Sequence, residues 1–337
     1  MPAAYINIID FSLARNEITN VQLASEYPDY TADSIYKNSG VLKRFSVDKG
    51  CVCTDFAAEN VSELLNKHKI DKHKIDFLIY CTEAPDYIAP ASSVVLHGKL
   101  GLSKEAGTFD LQFGCSGYTY GLLLAKALIE SSAASTILFV TADIPTQVIS
   151  EKDPHLRFLF SDAVSISIIS SEKKGYKLGE FIKGTDGKGE TALRVINSGF
   201  NSPRNEEWYH QEGNENLSVG RMEMDGEAVF RFSVDVVPKI VEEVLNKNKL
   251  KREDIDLFVF HQASRIILKS LQRKLKIEEE KIYNNLERVG NTVSASIPVA
   301  LSQALSENRI TKNMNIMVVG FGIGFSWSAT VFNTTNL

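Results

Sequence analysis

The feature that constrains this chain most is an internal repeat. Leu65-Asn66-Lys67-His68-Lys69-Ile70, then Ile75-Asp76-Phe77-Leu78-Ile79-Tyr80-Cys81, returns as Leu245-Asn246-Lys247-Asn248-Lys249-Leu250, then Ile255-Asp256-Leu257-Phe258-Val259-Phe260-His261. In each copy the first stretch reads as a helix end. The second reads as a short continuous apolar strand, the pattern of a sheet covered on both faces. Amphipathic helices are expected ahead of the strands, over residues 56–68 and 236–247. The latter would begin after Asp235 with Pro238 in its first turn. A second pair follows in the same order. Gly114-Cys115 opens an apolar helix that leads to a strand at 137–140, and Gly290-Asn291 opens one that leads to a strand at 316–319. Two α/β halves, residues 1–172 and 173–337, are therefore expected to join near residues 170–178.

The repeat has a chemical consequence. Cys115 and Asn291 occupy equivalent helix starts, and Cys81 and His261 equivalent strand ends. Sites in open α/β architectures form beyond the carboxyl ends of strands and at helix N-termini. Packing of the halves about a pseudo-twofold axis would bring Cys115, His261 and Asn291 into one cleft. A thiol at a helix start lies beside unpaired N–H groups and the positive end of the helix dipole, which favour the nucleophilic thiolate. The Cys115 N–H can also face the oxygen of a thioester under attack. His261 can donate from Nε2 to a carbonyl if the backbone holds its other nitrogen. Taken singly, each has a plainer reading: a small buried thiol, a structural histidine, an N-capping asparagine.

Composition narrows the class. Of 337 residues, 44% are apolar and 23% charged, and the net charge is −5. That balance is globular, and it provides no global basic field for nucleic acid. No apolar run approaches the roughly 20 residues that span a bilayer. Residues 1–10 lack the basic and apolar regions of a signal peptide, so a cytoplasmic location is expected. The four cysteines, Cys51, Cys53, Cys81 and Cys115, are then expected as thiols. Cys51 and Cys53, with His68 and His73 in a Lys-rich, solvated-looking stretch, do not have the spacing of a zinc site.

The motifs in chain order resemble the β-ketoacyl-acyl carrier protein synthase III branch of the thiolase superfamily. They are Phe113-Gly114-Cys115-Ser116-Gly117-Tyr118, the segment Met224-Asp225-Gly226-Glu227-Ala228-Val229-Phe230-Arg231-Phe232, His261-Gln262-Ala263, Gly290-Asn291-Thr292 with Ala295-Ser296-Ile297-Pro298, and Gly320-Phe321-Gly322-Ile323-Gly324-Phe325-Ser326-Trp327. The resemblance covers nearly the whole chain. It implies a five-layered α/β/α/β/α duplicated fold and a homodimer with residues near 81 to 120 at its interface. It also implies a decarboxylative Claisen condensation without a bound cofactor or metal. Acyl-CoA or acyl-carrier protein would acylate Cys115, and malonyl-carrier protein would supply the attacking carbon. His261 and Asn291 would hold the malonyl thioester carbonyl, and the N–H groups of Cys115 and Ile323 would form the oxyanion hole.

Departures from the family pattern sharpen these expectations. Position 323 is usually glycine there, and a β-branched residue prefers negative φ. Ser34 and Asn38 stand where the family has a Trp and an Arg for the coenzyme A nucleotide, and the basic loop at 153–158 is shorter. A primer carried on carrier protein, or a nucleotide held differently, is expected. Ala89 stands where a Phe often closes the partner's acyl tunnel, so a primer longer than acetyl is expected unless Phe113, Tyr87 or Ile88 fills the gap. Arg265, Lys269, Arg273, Lys274 and Lys276 lie at largely helical spacing, usually only a solvated face; the resemblance implies that this surface receives the acidic carrier protein. Two rivals remain: a non-condensing acyltransferase of the same family, and a catalytically silent partner subunit.

Overall fold

The computed structural model describes residues 2–200 and 220–337. Its strands are β1 (Tyr5–Leu13), β2 (Asn16–Thr19), β3 (Lys43–Ser46), β4 (Phe77–Cys81), β5 (Gly107–Leu111), β6 (Thr136–Asp143), β7 (Ala163–Ser170), β8 (Gly175–Leu178), β9 (Ile182–Thr185), β10 (Leu193–Ile196), β11 (Arg221–Met224), β12 (Leu257–Phe260), β13 (Asn315–Gly322) and β14 (Ser326–Asn336). Its helices are α1 (Asn20–Glu26), α2 (Ala32–Ser39), α3 (Cys53–Lys67), α4 (Ser92–Leu100), α5 (Gly117–Glu130), α6 (Pro154–Arg157), α7 (Gly226–Asn248), α8 (Arg265–Leu275), α9 (Leu286–Val289) and α10 (Ser296–Ser306).

The duplication is visible in the strand order. The first half pairs β5-β4-β6-β7-β1, and the second pairs β12-β13-β14-β8. A parallel bridge from Phe258 to Ile282 stands beyond β12, where β5 stands beyond β4. Numbered along the chain, each half therefore runs 3-2-4-5-1. The first three positions are parallel and the last two antiparallel. Tyr5 and Ile6 pair with Lys177 and Tyr176, which joins β1 to β8 and makes hydrogen bonding continuous across both halves.

Alternation along the strands explains the layers. Ile79 of β4, Ile137 and Phe139 of β6, Val259 of β12 and Ile316 and Val318 of β13 share one core with Leu122 and Ala125 of α5 and Ala300 and Leu301 of α10. The residues between them point the other way. Leu78, Tyr80, Leu138 and Val140 pack against α3 and α4, and Phe258, Phe260, Met317 and Val319 pack against α7 and α8. Side chains of a strand alternate between faces, so a run that is apolar on both must be sandwiched. The result is five layers, with α5 and α10 in the middle.

The helix expected over 236–247 begins ten residues sooner, at Gly226. Asp225 caps it, its carboxylate accepting from the N–H groups of Glu227 and Ala228 at 3.1 and 3.0 Å. Pro238 thus lies inside the helix, where it leaves the Val234 carbonyl without its usual donor. Lys274 Nζ takes that carbonyl at 2.7 Å. A neighbouring helix repairs the ladder, so proline does not mark the start. His68 is also less solvated than expected: its Nε2 lies 2.6 Å from the buried Asp10, which Lys67 also reaches. No helix among the described residues is long and apolar enough to cross a membrane.

Candidate active site

Cys115 follows β5 and a short turn, two residues ahead of α5. It is buried, 5% exposed. Gly322, at the end of β13, packs directly on it: a Cβ there would stand 2.5 Å from Cys115 Cβ and 2.8 Å from its Sγ. Gly320 packs on the same turn: a Cβ there would stand 2.6 Å from Thr119 Oγ1 and 3.0 Å from Ser116 Cα. The glycines of this segment therefore let the second half approach the nucleophile. Gly324 has a φ of +128°, whereas Ile323 between them keeps a negative φ, so its branched side chain is not strained. The N–H groups of Ile323 and of Cys115 itself both reach the sulfur.

The thiolate expected from the helix dipole is not the resting state. Burial pushes the Cys115 thiol well up, and the nearby Glu83 carboxylate pushes it further, against the pull of those two N–H groups. Loss of hydration outweighs a dipole that begins two residues away.

His261 ends β12, and its backbone N–H bonds Val319 O. Its ring was expected to lean on the backbone through one nitrogen. Instead Nδ1 lies 2.6 Å from the hydroxyl of Ser296, the first residue of α10. Nε2 is buried without a hydrogen-bond partner. Burial holds the imidazole pKa down at about 3, so the ring is neutral.

Asn291 was expected to open a helix. It lies five residues ahead of α10, in a bridge to Phe160. Its Oδ1 accepts from Val293 N–H at 2.9 Å, and its Nδ2 donates to Ala263 O at 3.1 Å. Val293 takes a φ of +52°, which for a β-branched residue stores about 1–3 kcal/mol of strain. Asp143, at the end of β6, pins the turn by accepting from the N–H of Ser294 at 3.1 Å and from its hydroxyl. A carboxylate from the first half thus fixes the loop that aims Asn291 in the second. Asp143 also accepts from Glu83 N–H at 2.8 Å. Burial pushes Asp143 up to about 6. Burial, with Asp143 nearby, pushes Glu83 up to about 8.

Cys115, His261 and Asn291 line one cavity of about 350 Å³, with Phe321 and Gly322 beside them. Met224, Val229, Phe230 and Ile266 continue its wall. Ile266 is 60% exposed and marks the mouth at the start of α8. Neither residue expected at the acyl pocket lines the cavity of this chain. The Phe113 ring instead packs on Tyr120, centroids 4.6 Å apart. Ala89 is exposed, on a loop with Tyr87 and Ile88 that are 59% and 73% exposed. The basic residues of α8 also divide. Arg265 donates to Lys37 O at 2.6 Å and lies over the Tyr36 ring, and Lys274 is held by Val234 O. Lys269, Arg273 and Lys276 stand exposed. Ser34 completes a capping box with Thr31 on α2, and Arg157 pairs with Glu26 at 2.6 Å.

Sequence reasoning missed Glu83, Asp143 and Ser296. Asp143 and Glu83 had one legible signal, acidic side chains at or just past the ends of apolar strands. Ser296 had none beyond its place in the Asn291 motif.

A cysteine, a neutral imidazole with one free nitrogen and a carboxamide, gathered where two repeats of an α/β fold meet, define a thiolase-fold condensing enzyme. Residues 109–187 match the family described as 3-Oxoacyl-[acyl-carrier-protein (ACP)] synthase III, and residues 245–334 match its C-terminal part. The Beta-ketoacyl-[acyl-carrier-protein] synthase III of Fusobacterium nucleatum subsp. nucleatum is 32% identical over 98% of this chain and 98% of that protein. A crystal structure of a 3-oxoacyl-(acyl-carrier-protein) synthase III superposes with a TM-score of 0.92 at 35% identity, over 98% of this chain and all of that one. The β-ketoacyl-[acyl carrier protein] synthase III from Thermus thermophilus gives a TM-score of 0.86 at 29% identity, over 99% of this chain and 100% of that one. The chain belongs to the 3-oxoacyl-acyl carrier protein synthase III family.

Proposed function

We propose that this chain condenses an acyl primer with malonyl-acyl carrier protein, and that Cys115, His261 and Asn291 carry the chemistry. Cys115 Sγ attacks the primer thioester, a new C–S bond replaces the old one, and the thiol proton leaves with the departing thiol. The N–H groups of Cys115 and Ile323 hold the oxyanion of that step. The malonyl thioester then places its carbonyl oxygen between His261 Nε2 and Asn291 Nδ2. Its carboxylate leaves as carbon dioxide, and the electrons of the broken C–C bond move onto that oxygen. Collapse of the resulting enolate joins its carbon to the acyl carbon, the C–S bond to Cys115 breaks, and the departing thiolate takes a proton from solvent to return to the thiol. The observation that carries this reading is the unpartnered Nε2 of a neutral His261 lining the same cavity as Cys115. A buried donor without a partner is costly unless a ligand completes it.

The exposed apolar loop with Tyr87 and Ile88, together with Val94 of α4 at 51% exposure, is proposed as part of a homodimer interface. There Ala89 would reach the partner's acyl pocket and leave room for a primer longer than acetyl. Lys269 and Arg273 flank the Ile266 mouth on α8 and are proposed to receive the acidic carrier protein. Use of the product in fatty acid or polyketide synthesis belongs to the same proposal. The test is to incubate the protein with acyl donors of graded length and map adducts by peptide mass. Malonyl-carrier protein is then added and carbon dioxide release followed. Acylation at Cys115 with release supports condensation, and acylation without release supports an acyltransferase. A protein that no donor acylates supports a silent subunit.

A further inference from the structure

Ser296 and His261 are both buried, 2% and 1% exposed. Their 2.6 Å contact allows two placements of the protons. In the first, Nδ1 carries the ring proton and donates to Ser296 Oγ. The serine proton then has no acceptor among the described residues, and Nε2 is left as a bare acceptor without a partner. In the second, the hydroxyl donates to Nδ1 and the ring proton sits on Nε2, where a substrate oxygen can complete it. The first placement leaves two unpaired groups, the serine hydroxyl as donor and Nε2 as acceptor, whereas the second leaves only Nε2–H, which a substrate oxygen completes, so the second is the less costly. Ser296 is well placed to enforce it: it begins α10, whose Ile297, Ala300 and Leu301 are locked in the central core.

We propose that Ser296 is a positioning residue that donates its hydroxyl proton to His261 Nδ1 and so fixes the ring as the Nε2–H tautomer. The proposal rests on the condensing reading and extends it, because a decarboxylating thioester needs a donor at Nε2 and an acceptor there would repel the developing enolate. Cys115 acylation relies on backbone N–H groups instead, so the two half-reactions should part company when Ser296 is changed.

The decisive measurements use the whole protein. In wild-type protein with 15N-labelled histidine, the His261 signal should show a protonated Nε2 and an unprotonated Nδ1. Ser296→Ala should lose that single tautomer signature. It should also lower malonyl decarboxylation by about 10²-fold, chiefly in kcat, because a wrong tautomer disables an otherwise intact site. Its Cys115 acylation should stay within about threefold of wild type. Ser296→Thr, which keeps the hydroxyl, should recover most of the loss. A wild-type spectrum with the proton on Nδ1 overturns the proposal, as does unchanged decarboxylation in Ser296→Ala. Should Ser296→Ala fail to fold, the wild-type spectrum alone decides. Should wild type never release carbon dioxide, the condensing reading fails, whereas the tautomer is still read directly.

Discussion

Cys81 and His261 stand at the same place in the two halves, each at the carboxyl end of the second strand of its repeat. Their surroundings differ in one respect. Cys81 Sγ donates to Phe113 O at 3.0 Å and lies against Gly117, where a Cβ would collide with it. His261 has Nδ1 satisfied and Nε2 buried without a partner, on a ring that lines the cavity. The thiol is satisfied by the fold, whereas the imidazole, on a ring that lines the cavity, keeps a nitrogen that a ligand can complete. The same contrast separates Asp143, whose oxygens are occupied across the halves, from Asn291, whose amide keeps one N–H after bonding Ala263 O.

Breaking the comparison outright is the largest expected effect. Cys115→Ala should abolish the acyl adduct and lower condensation by more than about 10³-fold. Cys81→Ala should keep the adduct and cost about 1–2 kcal/mol in stability. Peptide mass and thermal unfolding of the two variants measure this; equal loss of acylation would erase the distinction. His261→Ala comes next: carbon dioxide release should fall about 10²–10³-fold with acylation of Cys115 retained. Gly322→Ala should follow, since a Cβ against the Cys115 side chain displaces the nucleophile and a 1 Å error can cost about 10²-fold. Gly114→Ala, which meets the movable Glu83 carboxylate instead, should cost less; parallel acylation rates rank them.

The smallest effect is on pH dependence. Glu83 and Asp143, at about 8 and 6, lie above the usual carboxylate values. The folded chain therefore holds protons that the unfolded chain releases. Their contribution to stability is full below pH 4 or so and is lost as pH rises toward about 8. His261 acts in the opposite sense. Its folded value of about 3 lies below the usual 6.5, so stability falls as pH drops below about 6.5. Glu83→Gln should flatten the decline in unfolding temperature between about pH 5 and 8, and a slope equal to wild type would remove Glu83 from this account.

Legibility in the sequence followed locality. The strands at 77–81 and 257–260 were visible as apolar runs, and the order of elements in each half was visible as a repeat. Asn291 was misread as a helix opener because the left-handed turn at Val293 is pinned through Ser294 by Asp143, which lies 151 residues from that serine. Pro238 was misread as a helix start because its remedy, Lys274, comes from another helix. Phe113, expected at the acyl pocket, lies against Tyr120 and does not line the cavity of this chain, a packing that its sequence neighbours do not reveal.

The sequence by itself determined two α/β repeats and the identities of the sulfur, imidazole and carboxamide, because periodicity and motif order are properties of neighbouring residues. Tertiary structure alone decided that Cys115 rests as a thiol, that His261 leans on Ser296 and that Asp143 braces the Asn291 loop. Burial and hydrogen-bond partnership depend on groups that are distant in the chain and meet only when the two halves close on each other.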